Sequence, residues 1–204
     1  MAQLTIDPKT SAMLSMDCQT ALVSIYAKDP DFVTRAASLL SQARAAGITV
    51  IHVQVGFRPN LPEISTRNRF FSSLKNSPQH RQIFEGAAGA IHPALSPQGD
   101  DITVVKHRIS AFAGTDLEMV LRAKDIDTLV LFGIATSGVV LSVLLEGGDR
   151  DYRVIVAGDC CADLDAEGHA WLLDKFFPRR AEVAQSGEII EALKVKAHQE
   201  ASGD

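Results

Sequence analysis

The chain reads as an α/β protein, a three-layer αβα sandwich around a six-stranded, mainly parallel sheet with helices on both faces. Three observations predict this. Short apolar runs rich in β-branched residues recur along the sequence, as expected of strands buried on both faces. Between them lie segments whose apolar residues repeat at helical spacing. The two alternate, strand then helix, which is the order that parallel pairing through crossover connections requires. With 204 residues, 46% of them hydrophobic, a single domain over 1–204 can bury a sizeable core.

The first strand is SAMLSM at 11–16, which stops at Asp17. Over 29–47, Phe32, Ala36, Leu39, Leu40 and Ala43 share one helical face, with Asp29 and Pro30 at the start and Gly47 at the end. ITVIHVQV at 48–55 is the second strand. Residues 56–100 break the alternation with Pro59, Pro62, Pro78, Pro93 and Pro97. A short helix over Arg67–Lys75 is expected there and loop elsewhere, a length of loop that usually carries function. DITVVKH, TLVLFGI, YRVIVAGD and AEVAQS then supply the remaining strands, each followed by a helical segment. The strand in YRVIVAGD is expected to end at Asp159, ahead of Cys160 and Cys161.

Composition narrows the function. A net charge of −5 without a Lys/Arg run argues against a nucleic-acid partner. The apolar runs fall short of the roughly 20 residues of a membrane helix, and no basic stretch precedes an apolar one at the N-terminus, so a cytoplasmic protein is expected. Three cysteines, two of them adjacent, do not make a disulfide framework and suit a reducing compartment. There is no C-x-x-C, no histidine pair at ligand spacing and no glycine-rich phosphate loop, so neither a metal nor a nucleotide cofactor is expected.

Ligands of such sheets bind beyond the carboxyl ends of the strands. There the first strand ends at Asp17, the third at Lys106, and the fourth runs into Gly133–Val139. If the acid and the lysine meet, the ammonium holds the carboxylate ionised, or the acid moves protons while the ammonium stabilises an anion. Otherwise they are a capping carboxylate and an exposed lysine.

Asp17, the block from Lys106 to Leu117 (KHRISAFAGTDL) and Gly133-Ile134-Ala135-Thr136 together resemble the isochorismatase-like superfamily, also called the cysteine hydrolase family. Tyr152, Val154 and Asp159 extend the resemblance, which covers about residues 10 to 188. It implies the αβα fold, homodimers or homotetramers, and a catalytic Asp, Lys and Cys, with Asp17 as general base and Lys106 as the lysine. The family turn reads G-V-x-T-x-x-C-V, which laid over GIATSGVV sets the nucleophile's position on Val139. The thioester route is therefore closed there. The resemblance also implies a non-proline cis bond at Ile134–Ala135 and oxyanion donors among the amides near Gly138 and Val139. Isochorismatases proper lack the cysteine, carry glycine in its place and cleave a vinyl ether with Asp and Lys. Valine is bulkier than that glycine.

Candidate pocket residues are Phe57, Arg58 and Arg67 in GFRPNLPEISTRNRFF, together with Phe112 and Thr136. The arginines suit a carboxylate or phosphate. His107 is expected to pack on its strand away from the site, and His169 to be structural. Asp163 and Asp165 are expected at a strand end and helix N-cap. Three readings follow. The first is a hydrolase acting on a small organic molecule through Asp17 and Lys106 without a thiol. The second is a non-catalytic descendant that binds a small molecule or another subunit. The third is an amidase using Cys160 or Cys161. The first requires a pocket beside Asp17 and Lys106 that Val139 does not fill.

Overall fold

The structure, a computed structural model, describes residues 4–201. Its elements run β1 (Ser11–Met16), α1 (Thr20–Tyr26), α2 (Phe32–Ala45), β2 (Thr49–Val55), α3 (Arg69–Asn76), α4 (Pro78–Gln82), α5 (Gly86–Gly89), β3 (Ile102–Lys106), α6 (Leu117–Ala123), β4 (Thr128–Ile134), α7 (Leu141–Gly148), β5 (Arg153–Ala162), α8 (Ala166–Trp171), β6 (Glu182–Ala184) and α9 (Ser186–Ala201). The six strands form one sheet in the order β3-β2-β1-β4-β5-β6, every pair parallel. Central β1 and β4 are buried along their whole length, which is why their sequences run apolar rather than alternating. No helix of the described residues is long and apolar enough to cross a membrane.

Helix α2 buries Phe32, Ala36, Leu39, Leu40 and Ala43, the face its spacing predicts. It packs against β5, β2 and α9. Gly47 takes φ 78° just past the helix, and the Ile48 amide returns to Ala43 O, a glycine-assisted C-terminal stop. Arg44 and His52 both reach Asp101, at 2.7 and 3.0 Å, tying α2 and β2 to the turn before β3.

Several boundaries differ from the sequence expectation. α1 was not expected; its seven residues, TALVSIY, are too short and too β-branched to show a helical repeat. Residues 56–100 hold α3, α4 and α5 rather than one short helix. They fold around a small core of their own, with Leu61, Ile64, Phe71 and Leu74 packed against Phe57 and Phe84. β5 does not stop at Asp159 but continues to Ala162, so Cys160 and Cys161 lie inside the strand.

The topology locates the site. The chain leaves β1 toward β2 and β3, and leaves β4 toward β5 and β6, so the direction of winding reverses between β1 and β4. A reversal of that kind opens a crevice at the carboxyl ends of the two strands. Asp17 and the turn after Ile134 sit at that place.

Candidate active site

Asp17 follows β1 with φ 54°, a left-handed conformation that aspartate tolerates better than most residues. Its amide still pairs with Val53 O at 2.8 Å, while the side chain leaves the strand direction. Lys106 is the last residue of β3, on the far side of β2. Two strand spacings are about 10 Å, a gap that only a long side chain closes. Lys106 Nζ lies 2.7 Å from Asp17 Oδ2 and donates to Arg108 O at 3.0 Å. Both residues are buried, at 5% and 2% exposure. Burial raises the Asp17 pKa, the Lys106 charge and hydrogen bond lower it, and burial prevails, leaving it at about 6. Asp17 Oδ1 is buried with no protein hydrogen-bond partner.

At the carboxyl end of β4, the neighbour of β1, is the turn that leads into α7. The Ile134–Ala135 peptide is cis. Thr136–Val140 then winds as one π-helical turn before α7, with the Val140 amide reaching back to Ala135 O at 3.3 Å. Two side chains from beyond β5 clamp this turn. Asp163 Oδ2 accepts from both the amide and the hydroxyl of Ser137, each at 2.7 Å. Burial alone would raise Asp163, but these hydrogen bonds outweigh it and its pKa is lowered. His169 Nδ1 lies 2.8 Å from Thr136 Oγ1. Of the two amides expected to serve an oxyanion, that of Gly138 already donates to Ala135 O at 3.1 Å. Thr136, a pocket candidate, has no exposure.

Comparison with known proteins assigns the family over most of the chain. The family model described as Isochorismatase domain covers residues 11–188. The chain belongs to the isochorismatase family. It is 30% identical over 194 residues to the uncharacterized isochorismatase family protein YecD of Escherichia coli O157:H7, spanning 93% of this chain and 100% of that one. It is 30% identical over 163 residues to the maleamate amidohydrolase of Pseudomonas putida, spanning 79% of this chain and 74% of that one. An isochorismatase family protein from Burkholderia thailandensis superposes with a TM-score of 0.83 at 28% identity, over 95% of this chain and all of that one.

In this isochorismatase-family chain the Ser110–Thr115 block is scaffold. Ser110 Oγ donates to Glu146 and accepts from the Phe112 amide. Phe112, 6% exposed, stacks on Tyr152 at 6.1 Å, with the Arg150 guanidinium 4.8 Å over its ring. Phe112 thus packs beside the end of α7 and against the residue that precedes β5. Arg67 is exposed on the loop before α3. Arg58 is 63% exposed, and its Nη1 lies 3.4 Å from His107 Nε2. His107 Nδ1 is 2.5 Å from Gly56 O, and because a carbonyl only accepts, Nδ1 carries the hydrogen. Arg108 adds a bond to Glu63 O at 2.7 Å. The residues just after Lys106 thus fasten the 57–88 lobe beside the pair.

Val139 is 2% exposed. Two cavities of about 350 and 560 Å³ open elsewhere. The smaller is walled by Phe32, Arg35, Asp159, Cys161 and His169, the larger by Val55, Phe57, Phe84 and Ile91. Neither is lined by Asp17, Lys106 or Val139. The three thiols are poorly suited to attack: burial pushes Cys18 and Cys160 up to about 12, and Cys161 upward as well. Gln19, fully buried beside the pair with three side-chain hydrogen bonds, escaped the sequence reading; its one signal is a polar residue directly after a strand-end aspartate.

Proposed function

We propose that this isochorismatase-family chain hydrolyses a small amide-like substrate through Asp17 and Lys106, with water in place of a thiol. The observation that carries this reading is the 2.7 Å contact between the two side chains at the switch point, with Asp17 Oδ1 left free of protein partners. With its pKa near 6, Asp17 is ionised at neutral pH yet a stronger base than an ordinary carboxylate. In the forward step Oδ1 takes a proton from water as the water oxygen bonds to the carbonyl carbon, and the Lys106 ammonium faces the charge that builds on the carbonyl oxygen. The tetrahedral adduct then expels the amine, which takes the proton back from Asp17. The name of the maleamate amidohydrolase relative supports an amide. Arg58 is the candidate for a substrate carboxylate. A homodimer or homotetramer in the cytoplasm belongs to the same reading, on family resemblance.

The burial of Asp17, Lys106 and Val139, with neither cavity touching them, favours a second reading: a descendant that binds a small molecule without turning it over. A panel of amides, N-carbamoyl compounds and vinyl ethers, assayed with the wild type and Asp17→Asn, separates the two. Turnover that vanishes in the variant supports hydrolysis. Saturable binding of a panel compound without turnover supports the second reading.

A further inference from the structure

We propose that Gln19 is a positioning residue whose buried carboxamide sets both the Asp17–Lys106 pair and the lobe beside it. The β1–β2 ladder ends early, because β1 turns away at Asp17 after Met16 has paired with Val53. Two residues on, Val55 still presents an N–H and a C=O toward the departed strand. Gln19 answers both. Its Oε1 accepts from Val55 N at 2.9 Å, and its Nε2 donates to Val55 O at 3.0 Å. One side-chain amide thus continues the sheet by one peptide group. Val55 is the register partner of Lys106, so the bond that holds β2 to the end of β1 also fixes where the Lys106 backbone lies relative to Asp17.

The second Nε2 hydrogen goes to Gly89 O at 2.6 Å, where the lobe returns to the body. Around it the Thr20 amide donates to Ala90 O and the His92 amide to Cys18 O. The lobe leaves the sheet at Gly56, next to Val55, and comes back at Gly89. Both of its ends are therefore held by the same carboxamide. No other side chain can supply two donors and an acceptor in that plane except asparagine, whose stem is one carbon shorter. Gln19 has no exposure, and a residue of its type is seldom buried so completely unless every polar atom is matched.

The inference rests on reading Asp17–Lys106 as the working pair, but its test needs no turnover. Hydrogen exchange by mass spectrometry and reductive methylation of lysines are run on the whole chain as wild type, Gln19→Leu, Gln19→Glu and Leu39→Ala. Leu39→Ala is a general core destabiliser on α2, at a residue with no exposure. In Gln19→Leu, peptides over 54–58 and 86–92 exchange about tenfold faster or more, and Lys106 becomes methylated, while α2 and β4 keep their protection. Gln19→Glu keeps the bond from Val55 N and loses both donated ones, so 86–92 is released more than 54–58. An unchanged pattern with Lys106 still protected overturns the proposal, as does a uniform loss like that of Leu39→Ala. If Gln19→Leu does not fold, Gln19→Glu decides by the same criterion. Failure of the hydrolytic reading shows instead as a wild type without turnover, and leaves these results standing.

Discussion

Asp17 Oδ2 receives the Lys106 ammonium at 2.7 Å even though β2 lies between the strands that carry them. The contact spans the end of the sheet rather than a neighbouring pair, and both groups have left water to make it. A buried ion pair of this kind adds little over an apolar pair, but removing one partner strands the other.

Lys106→Met is therefore expected to cost about 3–5 kcal/mol at pH 7.5. In the wild type the Asp17 pKa is raised from 3.8 to about 6, so its contribution favours the fold fully below the unfolded value and is lost as pH rises through about 6. Without the lysine the folded value climbs further and the loss grows with pH. Urea unfolding at pH 7.5 and pH 5 checks this. The deficit shrinks at pH 5; equal deficits at both pH values contradict the assignment.

If Asp17 is the base, kcat/KM for any substrate found rises as pH passes about 6 and then levels. A profile that falls through the same pH makes Asp17 an acid instead, the role a vinyl ether cleavage would give it.

Buried, weakly acidic thiols should leave the activity indifferent to alkylation. Native protein treated with iodoacetamide at pH 7.5 is expected to keep its rate, with Cys18, Cys160 and Cys161 unmodified by mass spectrometry and all of them modified after unfolding. Parallel loss of activity and labelling of Cys161 would revive the thiol reading.

Much of the fold was legible because it depends on periodicity. The apolar spacing of α2 and the unbroken apolar runs of β1 and β4 each declare their surroundings locally. Asp17 and Lys106 were legible as strand-end candidates, but their contact was not, since it depends on which strands are neighbours. Gln19 shows the limit most clearly. Its partners are backbone groups of Val55 and Gly89, which no side-chain pattern records. The burial of Thr136 and Phe112 was hidden for a related reason: it comes from His169 and Tyr152, which lie far along the chain or outside the motif.

Gly133 pairs with Met16 of β1 at a place with no room for a side chain. Its φ is 136°, and a Cβ built there meets Met16 O at 2.0 Å, a clash with backbone that no side-chain movement relieves. Gly133→Ala is expected to lose more than about 3 kcal/mol, read as a sharp drop in melting temperature or in soluble yield. A variant that melts within a degree or two of the wild type contradicts the clash.

The central claim is that Asp17 and Lys106 carry the chemistry without a thiol. The initial rate of Asp17→Asn, on whichever amide, N-carbamoyl compound or vinyl ether the wild type converts, tests it most directly. A loss of about a thousandfold or more is expected with the fold intact. A variant that turns over at the wild-type rate, or a wild type inert toward the whole panel, contradicts it.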